Sequence, residues 1–265
     1  MVSATGREAS RERVQEFLPA APFVSLADAA EACRQAETVL IGVTDDAIGA
    51  VCAALAGKAA FRPGQYAFHL SGSVGLNDLE PARNAGAEIL SIHPLQSFPT
   101  VATGIERFPG SGAAVTARTE EGLNFGESLA RDAGGVPFRV ADELKPLYHA
   151  AAVFCANYLV TVAAIAEDLF MKAGLEHPLP LFAPLARAVL ANALDHDPKK
   201  ALTGPAVRGD VGTIARNLEA LKTSAPQALQ AYVVLARLAA EIASETGRLS
   251  AGQRERVEQT LDRWS

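Results

Sequence analysis

The first part of the sequence alternates between short apolar runs and helical patterns, and this alternation constrains the fold more than any other feature. Between two of the runs, for example, Ile48, Cys52 and Leu55 recur at helical spacing after Asp45 or Asp46, either of which could cap a helix. Strand–helix alternation predicts an open α/β sheet, in which continuous apolar runs are buried parallel strands. The runs lie at 39–43, 66–71, 88–92, 112–117 and 136–140.

After residue 140 only helical patterns remain. One runs from Leu144 to Gly174, and Ser224 with Gln227 and Ser250 with Gln253 have the spacing of capping boxes. The sequence therefore predicts an α/β domain over 1–140 followed by an all-helical domain over 141–265. The further helices are expected at about 180–195, 211–222, 226–246 and 251–264.

The composition is that of a folded protein that binds no nucleic acid. Hydrophobic residues make up 49% and charged residues 20%, and the formal net charge of −6 comes without a basic block. The cysteines, Cys33, Cys52 and Cys155, are odd in number and lie in apolar sequence. They are expected to be reduced core residues of a cytoplasmic protein.

One stretch, 150–166, is apolar enough to suggest a membrane span, but it is short and contains Asn157 and Tyr158. We expect a helix buried in protein, at the seam of a homodimer formed by the helical domain, and no membrane partner. The first residues carry no apolar signal-peptide core.

Three predicted strands end in small or polar residues. The ends are Val43-Thr44-Asp45, Leu70-Ser71-Gly72 and Ile92-His93-Pro94. In a parallel sheet, ligands bind beyond the carboxyl ends of the strands, and small residues let a ring or a phosphate approach the backbone. His93 either faces such a ligand or simply ends a strand and bonds a loop carbonyl.

Polar residues also recur along the first long helix of the helical domain. Lys145 and His149 lie four apart and Asn157 eight further on, so all three can flank one broad face. His149 is the predicted proton donor, because histidine is the side chain that titrates nearest neutrality. Asn157 either orients a substrate carbonyl or bonds a neighbouring helix, and Lys145 either binds substrate or is a surface lysine.

A sharp loop is predicted at 201–214, where Gly204-Pro205 forces a turn and Asp210 can cap the next helix. Arg208 in this loop either binds a substrate carboxylate or pairs with an acid across a dimer interface. Nothing in the spacing of His177 and His196 predicts a metal site.

Five segments together resemble a bacterial family of Rossmann-like proteins whose helical C-terminal half is a domain of unknown function. The family is similar in layout to pyrroline-5-carboxylate reductase, ketopantoate reductase and the β-hydroxyacid dehydrogenases. The segments are VLIGVTDDAI (39–48), HLSGS (69–73), IHPLQSFP (92–99), KPLYHAAAVFCANYLV (145–160) and ALTGPAVRGD (201–210).

The resemblance implies a nicotinamide cofactor, NADP in preference to NAD, a helical dimerisation domain, and reduction of a small carbonyl or imine between the domains. The cofactor-binding residues would include Val43, Thr44, Ser71 and Gly72. The catalytic residues would be His93, His149 and Asn157, and the substrate-binding residues Gln96, Lys145 and Arg208.

The sequence departs from this family in lacking the G-x-G-x-x-G turn after a first strand. The Gly-x-Gly in 108–115 precedes a strand instead. Residues 1–14 match the end of a second Rossmann strand, where Thr5 and Arg7 would suit the 2′-phosphate of NADP, unless Arg7 is merely solvated.

Two explanations stay open. Either the start is mis-assigned and about thirty residues precede it, or the segment is lost and cofactor binding is weakened. A non-catalytic Rossmann-derived dimer that senses a nucleotide or binds a partner is the alternative function.

Overall fold

The computed structural model describes residues 3–264, which divide into two compact units, one ending at Tyr158 and one beginning at Leu159. The first unit is the α/β part together with the first long helix of the helical half. This division follows compactness, and the domain limits drawn from the sequence, 1–140 and 141–265, stay a prediction.

A small parallel sheet of two strands opens the first unit. Strand β1 pairs with β2, and the Arg11 guanidinium lies 4.7 Å from the centre of the Phe23 ring. The elements are β1 (Ala4–Thr5), α1 (Arg11–Phe17), β2 (Phe23–Val24) and α2 (Ala29–Gln35).

The main sheet has five strands in the order β3-β4-β5-β6-β7. The strands are β3 (Thr38–Leu40), β4 (Tyr66–His69), β5 (Glu88–Pro94), β6 (Gly112–Ala117) and β7 (Val136–Arg139). The helices between them are α3 (Ile48–Ala56), α4 (Glu80–Asn84), α5 (Val101–Arg107) and α6 (Glu120–Asp132). The predicted α/β sheet is therefore confirmed.

The sheet is not parallel throughout. Strands β3, β4 and β5 run parallel, as do β6 and β7, but β5 and β6 are antiparallel. The segment containing α5 leaves and re-enters the sheet at the same end of its strands, since the Leu95 N–H donates to the Gly112 carbonyl over 2.8 Å. The chain thus re-enters the sheet where it left it, and the prediction of parallel strands is wrong at this pair.

Side chains of the central strands alternate between two apolar layers. Ala67 and Ile89 pack with α3 on one face, and Phe68 and Leu90 pack with α6 on the other. The first edge strand is less buried than predicted, because Leu40 and Val43 are 48% and 43% exposed.

The rest of the described chain is helical. Only Ala156 separates α7 from α8, and the boundary between the compact units falls inside α8. The helices are α7 (Lys145–Cys155), α8 (Asn157–Lys172), α9 (Leu179–Asp195), α10 (Pro198–Ala201), α11 (Pro205–Arg208), α12 (Val211–Ser224), α13 (Pro226–Glu245) and α14 (Ala251–Asp262).

Two of the predicted helix caps are confirmed. Asp210 accepts the Thr213 N–H over 3.0 Å, and Ser250 forms a capping box with Gln253. The Ser224 prediction is wrong, because Ser224 is the last residue of α12 and Ala225 precedes α13.

Within residues 3–264, one helical segment, Asp142–Lys172, has the length and apolar composition that would allow it to cross a membrane. None of its most apolar window is buried, and Phe154 and Val160 are 63% and 71% exposed. The segment is therefore not buried within one copy of the chain, and its burial at the seam of a homodimer stays a prediction. Cys155 shares the exposure, so the prediction of core cysteines holds for Cys33 and Cys52 alone.

Candidate functional site

The start of α7 packs over the carboxyl ends of β4 and β5. Asp142, Lys145 and His149 follow one another at helical steps of three and four, which places them on one face. The Asp142 carboxylate accepts the Leu76 N–H over 2.9 Å and so fixes this end of the helix to the loop after β4.

Lys145 is buried, with 2% of its surface exposed. Its Nζ donates to the Ser71 carbonyl over 2.9 Å and to Ser91 Oγ over 2.6 Å, which joins α7 to β5 and to the loop after β4. Burial lowers the pKa of Lys145 to about 8, although the carboxylates of Asp142 and Asp45 act to raise it. The alternative of a surface lysine is therefore wrong.

The Ser71 side chain closes a turn at the end of β4. Its Oγ donates to Asp45 Oδ2 over 2.7 Å and accepts the Val74 N–H over 3.0 Å. Asp45 is thus used by this turn and caps no helix, contrary to the prediction. Thr44, the residue before Asp45, is exposed, and so is Val43.

Gly72 brings its backbone against two imidazole rings. A Cβ at this position would lie 2.8 Å from His93 Nε2 and 2.7 Å from His149 Cδ2, so only glycine fits without moving them. The ring centres of His93 and His149 are 5.9 Å apart, with the rings nearly perpendicular. The space beside Gly72 is therefore narrow, because the two imidazole rings occupy it.

His93 is bound to Tyr148, with 2.8 Å between Nδ1 and the hydroxyl oxygen. Burial, and after it the charges of His149 and Lys145, lowers the pKa of His93 to about 4. Burial raises the pKa of Tyr148 to about 12. Both groups are therefore neutral at pH 7, and the tautomer of His93 decides which of them donates.

A third imidazole, that of His69, lies fully buried at the end of β4. Its Nδ1 accepts the Ser71 N–H over 3.1 Å, which leaves the ring proton on Nε2. Burial and the Lys145 ammonium lower the pKa of His69 to about 4. The neutral ring thus holds the turn by accepting the backbone N–H of Ser71.

The structure brings five of the predicted site residues together. Those that meet are Ser71, Gly72, His93, Lys145 and His149. Gln96 is used within its own loop, where its amide donates to the Arg107 carbonyl and to Ser111 Oγ. The remaining residues are exposed, and their roles stay predictions: Thr5 in β1, Arg7 after it, Val43 and Thr44 after β3, Asn157 at the start of α8, and Arg208 at the end of α11.

Four residues of the site were missed. Two lay within reach of the sequence: Tyr148 is one helical turn from Lys145, and Asp45 lies in the loop that follows β3. His69 and Ser91 are register partners on adjacent strands, and no pattern shows that a lysine would reach between them.

We predict that replacing Lys145 with methionine raises the pKa of both His69 and His93 by roughly one pH unit, because a like charge is removed from beside each ring. The measurement is an NMR pH titration of the imidazole C2 protons, assigned with H69Q and H93Q. Lys172→Met, at the exposed end of α8, is the control. Unmoved titrations in K145M would show that the ammonium does not act on these rings.

Comparison with known proteins agrees with this architecture. A Rossmann-like domain model matches residues 1–94, and a model of the domain of unknown function DUF2520 matches residues 111–239. None of the curated proteins compared with the sequence matches it.

Several solved structures share the fold. A Bacteroides fragilis protein assigned as an NADP oxidoreductase is 22% identical, covers 91% of this chain and 88% of its own, and has a TM-score of 0.72. An imine reductase from Myxococcus stipitatus in complex with NADP⁺ is 12% identical over 99% of this chain and 90% of its own, at a TM-score of 0.62. An imine reductase from a Pseudomonas species is 17% identical over 93% and 90%, also at 0.62.

At these identities the solved structures show a shared fold and nothing more. The two domain models, in contrast, match the sequence itself. The sequence thus matches a Rossmann-like domain followed by the domain DUF2520, the arrangement that its motifs predict.

Proposed function

We propose that the protein is an NADP-dependent oxidoreductase that reduces the carbonyl or imine group of a small substrate at the strand ends of its α/β unit. The observation that carries the proposal is the group formed by Gly72, His93 and His149 beyond the carboxyl ends of parallel strands, where α/β sheets bind their ligands. The NADP⁺ in the imine reductase of the same fold supports the choice of cofactor.

In this proposal each side chain has a separate task. NADPH, when bound, supplies the hydride. His149 gives the proton to the substrate oxygen or nitrogen, and Asn157 holds the substrate. His93 stays neutral, is held by Tyr148, and orients the polar atom of the substrate with a ring nitrogen. Lys145 is a positioning residue that fixes the Ser71–Gly72 turn.

The fit to the cofactor is uneven. The small residues at 71 and 72 suit the nicotinamide end, and Thr5 and Arg7 are proposed for the 2′-phosphate. The sequence has no Gly-rich turn to cradle the pyrophosphate. The second candidate is a non-catalytic Rossmann-derived dimer that senses a nucleotide or binds a partner.

Titration of the full chain with NADPH and with NADH by calorimetry tests the cofactor. We expect NADPH to bind at least about tenfold more tightly, because a guanidinium pairs strongly with a phosphate. Arg7→Gln should remove the preference and keep the NADH affinity. Absence of binding by either nucleotide would end the reductase proposal, and binding without reduction of any carbonyl or imine would favour the second candidate.

His149→Ala should lower turnover by roughly 10²-fold, the usual scale of acid–base help, with the NADPH affinity unchanged. The assay is NADPH oxidation at saturating substrate. His196→Ala, at the exposed end of α9, is the matched control. Full turnover in H149A would remove His149 from the mechanism.

We further propose that the chain forms a homodimer through its helical part and is cytoplasmic, with the substrate and a second copy as its partners. Large apolar side chains of α8 and α9 are exposed in the single copy, among them Val160 at 71%, Leu185 at 65% and Leu194 at 74%. Apolar surface of this extent on adjoining helices is typical of an interface.

Light scattering after size exclusion should therefore give twice the mass of one chain. The double variant Val160→Glu/Leu185→Glu should give a single-chain mass, because a carboxylate on each exposed face would have to be desolvated. Leu26→Glu, at a 56% exposed position of the α/β unit, should leave the dimer intact. A monomer at all concentrations would refute the dimer.

A further inference from the structure

The α/β unit holds a cavity of about 1000 Å³ next to the candidate site. Its floor is formed by Leu70, His93 and Pro94 at the ends of β4 and β5, and its walls by α1, by α5 and by the loop before α5. A cavity of this size accommodates a drug-sized molecule.

The wall on the α5 side is apolar and uncovered. Phe98, Val101 and Ile105 line the cavity, and they are 51%, 41% and 66% exposed. Grouped apolar side chains facing water around a concave surface are the usual mark of a site that an apolar ligand covers.

This wall has a fixed shape. A Cβ at Gly104 would overlap the Phe98 ring, so the ring lies directly against α5 only because residue 104 is glycine. Phe108 packs on the other side, with 6.3 Å between the ring centres. The aromatic surface is therefore held in place before any ligand arrives.

The charged groups that line the cavity sum to no net charge. Arg13 and Glu16, both on α1, carry opposite charges. Gln96 and Thr100 already make hydrogen bonds, to Arg107 and Ser111 and to Thr103. A carboxylate placed here would lose its hydration without meeting an unbalanced cation.

We propose that this cavity is the substrate pocket and that it takes a neutral carbonyl or imine compound with a bulky apolar group, not one bearing a carboxylate. The apolar group lies against Phe98 and Ile105, and the carbonyl oxygen or imine nitrogen lies at the floor beside His93. That the ligand is reduced in this cavity rests on the proposed function. The preference for a neutral ligand over a carboxylate does not.

The test uses two ketones that differ in one group, 4-phenyl-2-butanone and its carboxylated counterpart 2-oxo-4-phenylbutyrate. Binding of each to the full chain is measured by ligand-observed NMR, with and without NADPH, and NADPH oxidation is followed separately. We expect the neutral ketone to bind at least about tenfold more tightly. Equal or tighter binding of the keto acid, or no binding of the neutral ketone, would overturn the proposal.

Two variants locate the site. Ile105→Ser should weaken the neutral ketone about fivefold or more by removing apolar contact, and Gly104→Ala should do so by displacing the Phe98 ring. Leu26→Ser, exposed and outside the cavity, is the control. Ile105 is two-thirds exposed, so I105S decides the matter if G104A does not fold, and unchanged affinity in I105S would refute the assignment.

The outcomes separate this inference from the proposed function. Binding of the neutral ketone that I105S weakens, without any NADPH oxidation, would uphold the pocket and count against the reductase. Loss of ketone binding as the protein concentration rises, together with a rise in mass, would overturn the pocket in favour of a second copy covering this surface.

Discussion

The candidate site depends on one buried ammonium group. Removing Lys145 from water is costly, and the cost is offset by the Ser71 carbonyl, by Ser91 Oγ and by the nearby carboxylates of Asp45 and Asp142. Because these oxygens belong to different elements, the lysine can be satisfied only when α7 has docked on the strand ends. Burial, and after it this charge, lowers the pKa of His69 and adds to the lowering at His93.

Docking of α7 in turn determines what the strand ends present. Tyr148 and His149 are carried to the sheet by the helix that Lys145 anchors, and each meets a group that the sheet supplies. Gly72 is the point of closest approach. A neutral His93 can offer or accept a hydrogen bond at pH 7 but cannot serve as a cationic acid there.

Much of the fold and part of the site could be predicted from the sequence. Strand–helix alternation gave the order of elements, and the strand ends gave Gly72 and His93, because carboxyl ends of parallel strands meet at one edge. The reversal at β6 could not be predicted, since a strand has the same side-chain alternation in either direction. The burial of Lys145 could not be predicted either. Helical spacing places Lys145 on a helix face, but only the fold shows which oxygens accept hydrogen bonds from its ammonium group. Asp45 was expected as a cap because acidic residues after a strand usually serve that purpose.

The antiparallel entry of β6 has a consequence for how such proteins diversify. The segment 95–111 leaves the sheet and returns to it at the same end of the strands, and both its ends are tied together by the Leu95–Gly112 and Gln96–Ser111 hydrogen bonds. Insertions, deletions or substitutions between those ties alter no strand register. The α5 wall of the cavity can therefore change in sequence and length while His93 and the strands keep their places.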